Sequence, residues 1–276
     1  MDAGWVDWAV MSTVIIPNPA CSHDFSYASL ELLTPPNALF REHRHWFSPS
    51  LGREMELLIF GHAGARVLVF PTSMGRFYEW EDRGMVGALT HHIEQGWLQL
   101  YCVDSVDGES WYAKQSHPGA RAWRHAQYDA YVRDEVLPLT QYMNSNPFLI
   151  TTGASFGAYH AMSFGLRYPE RVGRILGLSG MYDIRSMTDG YSDQTVYFHN
   201  PPEFIQNEHD PDRLNAPRRT DIIMVIGRDD PMRGDNEYFS HILWSKDIWH
   251  ALRIWDGWVH DWPYWREMIV RYVGGQ

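Results

Sequence analysis

"ITTGASFGAYHAM", residues 150–162, sets one glycine two places before Ser155 and another two places after it. The apolar run "PFLITTG" (147–153) leads in, and the helix-like stretch "FGAYHAMSFGLRYP" (156–169) leads away. Gly-x-Ser-x-Gly between a strand and a helix is the pattern of a nucleophile elbow. A turn that tight holds the serine in a strained backbone conformation and lifts its hydroxyl above the carboxyl edge of a sheet. A side chain at 153 or 157 would strike neighbouring backbone. The same letters could instead mark a glycine-rich turn in which Ser155 caps a helix.

Working outward, short apolar runs alternate with amphipathic ones. "REHRHWFSPSLGREMELLIFGH" (41–62) reads as two extended runs around a turn, an antiparallel start. "ARVLVFP", "LQLYCVD", "PFLITTG", "RILGLSG", "DIIMVIG" and "HALRIWDG" are continuous apolar strands of the kind buried on both faces of a parallel sheet. Between them lie helical patterns over 84–96, 119–144, 156–169 and 236–247, with a closing helix over 261–273. Such alternation predicts right-handed crossovers and an α/β fold. Its central sheet would be mostly parallel, with antiparallel N-terminal strands and helices on both faces. No repeat or linker-like shift in composition interrupts the chain, so residues 1–276 read as one domain. The stretch from about 181 to 220 has no clear period and reads as a cap-like insertion over the elbow end of the sheet.

With 45 % hydrophobic residues and 40 aromatics (13 Trp, 15 Tyr, 12 Phe), the chain has ample material for a core. A formal net charge of −11 disfavours nucleic acid or an anionic membrane as partner. Cys21 and Cys102 stand far apart and suggest neither a disulfide framework nor a zinc site. The first twenty residues carry no Lys or Arg, and no apolar run reaches membrane-spanning length. The expectation is a soluble cytoplasmic protein; oligomeric state is left open.

A serine nucleophile needs a base and an orienting acid, which in this architecture follow in the order Ser, Asp, His. "IIMVIGRDDPMR" places Asp229 and Asp230 just past a strand, and "LRIWDGWVHDWPYW" places His260 after the last one. Strand ends on the carboxyl side form the crevice of an open α/β sheet. His241, within a helix, and His250, before its strand, suit the base less well.

"GASFG", "GRDDP" and "HDWPYW", in that order, resemble the esterase D-type "putative esterase" branch of the α/β-hydrolase fold, over roughly residues 50–275. That branch includes S-formylglutathione hydrolases, feruloyl and acetyl esterases, and mycolyltransferases. The resemblance implies a serine esterase with no metal or organic cofactor and a small-molecule ester as substrate. It makes Ser155 the nucleophile and His260 the base. It also favours Asp230 over Asp229 as orienting acid, three residues after the strand-ending Gly227. The oxyanion hole would use the Phe156 N–H and one from the loop after the first parallel strand. Relatives carry a His-Gly or Asp-Gly pair there, whereas this chain has Pro71-Thr72-Ser73-Met74-Gly75, with Ser73 ahead of Met74 as donor. Tyr78, Trp80, Trp111, Tyr197, Phe198 and Asn200 are candidate substrate contacts. His91, His92 and Glu94 lack the spacing of a metal site. Rival readings are an acyltransferase using the same three residues, and a non-catalytic binding or scaffold protein on the same fold.

Overall fold

The computed structural model describes residues 39–275. Their frame is an eight-stranded sheet in the order β1-β2-β4-β3-β5-β6-β7-β8. The strands are β1 (Arg41–Ser48), β2 (Arg53–Phe60), β3 (Ala65–Phe70), β4 (Leu98–Val103), β5 (Leu149–Ala154), β6 (Arg174–Leu178), β7 (Asp221–Gly227) and β8 (His250–Trp255). β1 pairs antiparallel with β2, and β2 with β4; every other pairing is parallel. The antiparallel start and parallel remainder expected from the sequence are both present.

Alternation along the strands sorts apolar side chains onto two faces. Leu68, Phe70, Tyr101, Val103, Leu149, Ile175, Ile222 and Met224 share one core; Val67, Val69, Leu100, Cys102, Ile150, Leu176, Ile223 and Val225 share the other. Both faces are buried, so the strands carry apolar residues at successive positions rather than every second one. Helices α1 (Pro118–Tyr131), α2 (Leu137–Met143), α3 (Phe156–Arg167) and α4 (Arg233–Ser245) contribute to the first core. α5 (Trp262–Tyr272) and the short helices at Met85–Ala88 and Thr90–Glu94 cover the second. The helix expected over 119–144 contains a wider, π-type turn at Val132–Val136. Pro138 stands two residues past its end: a proline there has no N–H to give and would crowd the carbonyl four residues back. The helix expected over 84–96 begins after Gly84, at φ 74°, and breaks into two short pieces.

Strand order reverses at β3: β4 lies on one side of it and β5 on the other. The crevice outside the carboxyl ends of neighbouring strands opens at such a point. The loops after β3 and β5 meet there, and those after β7 and β8 follow along the same edge. Residues 181–220 form short helical segments, Ile184–Met187, Gln194–Phe198, Pro201–Asn207, Pro211–Asn215 and Pro217–Arg219. Three of these open on proline, which suits a first helical turn. Arg121, fully buried on α1, holds this stretch by donating to the Met187 carbonyl and the Asp189 carboxylate. Among the described residues no helix is long and apolar enough to cross a membrane, and no group of three His, Cys, Asp or Glu could hold a metal ion. The expectations drawn from the first twenty residues and from Cys21 fall outside the described residues. Cys102 is free and buried, and burial raises its thiol pKa.

A buried histidine beneath α3 makes the fold acid-sensitive. His199 donates from Nδ1 to the Thr195 carbonyl, at 2.7 Å, and accepts at Nε2 from Arg167, at 2.6 Å. Burial, reinforced by the Arg167 charge, pushes its imidazole down to about 4. Burial lowers the neighbouring His125 in the same direction. An unfolded histidine takes up its proton near ~6.5, so between that pH and about 4 the unfolded chain binds more protons and stability falls as pH falls. We expect His199 to account for about 2–3 kcal/mol of stability lost between roughly pH 7 and 4.5. Urea unfolding should show His199→Gln flattening that slope; an unchanged slope would exclude His199 as its source.

Candidate active site

Ser155 stands between the end of β5 and the first residue of α3, with φ 54° and ψ −120°. Its N–H donates to the Leu178 carbonyl at 2.8 Å, and its side chain makes no helix-capping bond. The capping role is therefore absent; the hydroxyl is turned the other way. The flanking glycines have measurable reasons. A Cβ on Gly153 would lie 2.3 Å from the Gly157 carbonyl carbon, and one on Gly157 would lie 2.5 Å from both the Phe70 and Pro71 oxygens. Contacts that short with backbone cannot be relieved by rotating a side chain.

The Ser155 hydroxyl is 3.1 Å from His260 Nε2, and His260 Nδ1 is 2.7 Å from Asp230 Oδ2. Asp230 is buried beneath the imidazole, and its other oxygen accepts the Met232 N–H at 2.8 Å. Asp229 is exposed. The loop carrying His260 rests on Gly227, where a Cβ would meet the Trp258 carbonyl oxygen at 2.3 Å. Val259, just before the histidine, has φ 40°, a genuine outlier for a β-branched residue. The imidazole is held between two indoles: Trp258 stacks on it at 5.8 Å, and Trp265 meets it edge-on at 5.3 Å. Trp265 is anchored in turn, donating from Nε1 to Ser179 Oγ at 3.0 Å. That gives the second tryptophan of "HDWPYW" a physical task.

The loop after β3 is fastened at several points. Glu79 accepts from the Thr72 N–H and hydroxyl, at 2.8 and 2.7 Å. Met74, at φ 60°, donates its N–H to Asp107 Oδ2 at 3.0 Å. The Ser73 N–H donates to no protein group among the described residues, while its hydroxyl pairs with the Tyr112 hydroxyl at 2.7 Å. The Tyr112 ring sits edge-on to Phe156 at 5.2 Å. Phe156 opens α3, so its N–H has no partner within the helix. Asp107, Tyr112, Glu79 and Ser179 were not singled out in the sequence. The position of "VDSVDGESWY" just past β4 was the available signal for the first two.

Of the proposed substrate contacts, Tyr78 is exposed and follows this loop. Trp80 is buried in the core beneath α5, and Trp111 in a small cluster with Phe156 and Tyr159. Asn200 is fully buried, accepting from the Ile184 N–H and placing its amide near Asp183 and Glu203. Tyr197 is half-buried against Phe198. Phe198 lines a groove of about 460 Å³ with Leu166, Arg167 and Pro169. That is the far end of α3 from Ser155. His91 and His92 pack edge-on against Trp97. Arg76 pairs with the buried Asp104 at 2.6 Å.

The family described as "Putative esterase" matches residues 101–274. No curated protein matches the chain. Among solved structures, a ferulic acid esterase superposes with a TM-score of 0.69 at 16 % identity, covering 84 % of this chain and 96 % of its own. An S-formylglutathione hydrolase from Agrobacterium tumefaciens gives 0.68 at 15 %, covering 86 % and 94 %. Mycobacterium tuberculosis MPT51 (FbpC1) gives 0.64 at 16 %, covering 86 % and 97 %. At such identities these likenesses carry the fold alone, that of the α/β hydrolases.

The close approaches at the elbow predict an asymmetry between glycines. Gly157→Ala should destabilise the protein by about 2–3 kcal/mol through overpacking. Gly234→Ala, at a helical position with nothing within 4 Å of the added carbon, should stabilise it by about 0.5–1 kcal/mol. Chemical denaturation measures both, and equal effects would contradict the geometry.

Proposed function

The chain belongs to the "Putative esterase" family and is a carboxylic-ester hydrolase; we propose that it works through a covalent acyl-Ser155 intermediate, with His260 as base and Asp230 as orienting acid. What carries the reading is the unbroken hydrogen-bonded series Asp230–His260–Ser155, at 2.7 and 3.1 Å, drawn from the ends of three different strands.

In this account His260 Nε2 takes the Ser155 proton as Oγ attacks the ester carbonyl. Asp230 accepts from Nδ1–H, which leaves Nε2 as the basic nitrogen and steadies the imidazolium that forms. The tetrahedral oxyanion is met by the Phe156 N–H and by one from the 71–75 loop. Collapse breaks the bond to the alcohol oxygen, which receives the proton from His260. Water then attacks the acyl carbonyl by the same route and restores the serine hydroxyl. Side chains, backbone and water suffice for every step. Trp258, stacked on His260, and half-buried Tyr112, edge-on to Phe156, offer apolar surface beside the reacting atoms, so an ester with apolar substituents is the expected substrate class. Residues 39–275 act as one domain in this reading. The 181–220 stretch caps its pocket: Met181, Met187 and Tyr191 pack against the cluster that contains Phe156.

Ser155→Ala should reduce turnover of a p-nitrophenyl ester series by at least about 10³-fold. Unfolding free energy should stay within about 1–2 kcal/mol of wild type, because alanine keeps the Cβ and the backbone conformation and only the hydroxyl's hydrogen bond to His260 is lost. Wild type should show an optimum at one acyl length, which sizes the pocket. Turnover that survives in Ser155→Ala would refute the assignment.

A further inference from the structure

We propose that Asp107 is a positioning residue for the oxyanion hole: its buried carboxylate, braced by His160 on the nucleophile's own helix, occupies the Met74 N–H and holds the loop so that Ser73 supplies the second donor. The inference rests on the acyl-serine reading and names the part of the site that reading leaves unassigned.

Met74 has φ 60°, a conformation that ordinary side chains avoid and that needs an external restraint. The restraint is a carboxylate almost fully shielded from water, 1 % exposed, whose Oδ2 accepts the Met74 N–H at 3.0 Å. The Met74 N–H is therefore spent on the protein and unavailable to a substrate oxygen, whereas among the described residues the Ser73 N–H donates to no protein group. Asp107 Oδ1 lies 3.0 Å from Nε2 of His160, itself 2 % exposed. His160 is boxed by Phe70 at 5.8 Å and Phe156 at 4.9 Å. One carboxylate thus ties the loop after β3, the loop after β4 and the helix whose first N–H is the other donor. Tyr112 adds a second tie, its backbone N–H donating to the Asp107 carbonyl and its hydroxyl meeting Ser73. The two donors are then fixed relative to each other before substrate arrives, which is what preorganised stabilisation requires.

The test compares Asp107→Asn and Asp107→Leu with wild type. kcat is expressed per active serine, titrated with a fluorophosphonate, so that unfolded protein is not counted. Asn keeps an oxygen for the Met74 N–H; Leu has similar bulk and no acceptor. The expected result is a loss of about 10²-fold in kcat for Leu with KM within about three-fold, and kcat within about five-fold for Asn. Leu at wild-type kcat, or Asn falling as far as Leu, would overturn the proposal. Should Leu fail to fold, amide NMR of wild type decides. On phosphonylation of Ser155 the Ser73 and Phe156 amide protons should shift while Met74's stays put; a shift at Met74 with none at Ser73 would overturn it. Absence of labelling at Ser155 would instead fell the acyl-serine reading, and this inference with it.

Discussion

Everything at the site depends on one backbone constraint: Ser155 is held at φ 54° where β5 turns into α3. A serine there carries a conformational penalty of about 1–3 kcal/mol, and only rigid surroundings keep it. The surroundings are backbone packed on backbone, with Gly153 against Gly157 and Gly157 against the end of β3. The strain is not isolated. Four of the six non-glycine residues with positive φ among the described residues are Met74, Ser155, Ser179 and Val259, which follow β3, β5, β6 and β8. Strained residues therefore collect along the carboxyl edge of the parallel sheet, where Ser155, His260 and Asp230 meet, and the two packed cores beneath bear the load.

Electrostatics adds a second requirement. A carboxylate as buried as Asp230 is unfavourable unless its oxygens are occupied. Here one meets His260 and the other accepts a backbone N–H two residues on. The same device recurs at Asp107, with a histidine on one oxygen and a backbone N–H on the other. Two buried carboxylate–histidine pairs thus flank the elbow. One reaches the serine hydroxyl, and the other reaches the loop that would receive the developing charge. His260 is further confined by Trp258 and by Trp265, whose indole N–H is tethered to Ser179.

The parts legible in the sequence are those encoded locally. The strands were readable because both faces of a parallel sheet are buried, which makes runs such as "DIIMVIG" continuously apolar. The elbow was readable because a tight turn needs glycine at fixed offsets from the serine. Asp230 and His260 were readable as polar residues just past apolar runs, with Asp230 preferred over Asp229 only by resemblance. The clamp on the 71–75 loop was not legible: Asp107 meets a backbone N–H thirty-three residues away and a histidine fifty-three residues away, and such contacts leave no period. The 181–220 stretch resisted reading for a related reason. Its helices are five to seven residues or shorter, set by prolines and by caps such as Asp193 and Asp210 rather than by an apolar stripe.

The central claim is that an ester's acyl group resides for a time on Ser155. The most direct measurement is acid quenching of the enzyme during turnover of an activated ester, followed by peptide mass mapping. The account predicts an acyl adduct confined to the peptide containing Gly153-Ala154-Ser155-Phe156-Gly157, decaying as substrate is exhausted. Turnover with no adduct at any quench time, or with the acyl group on a different residue, would contradict it.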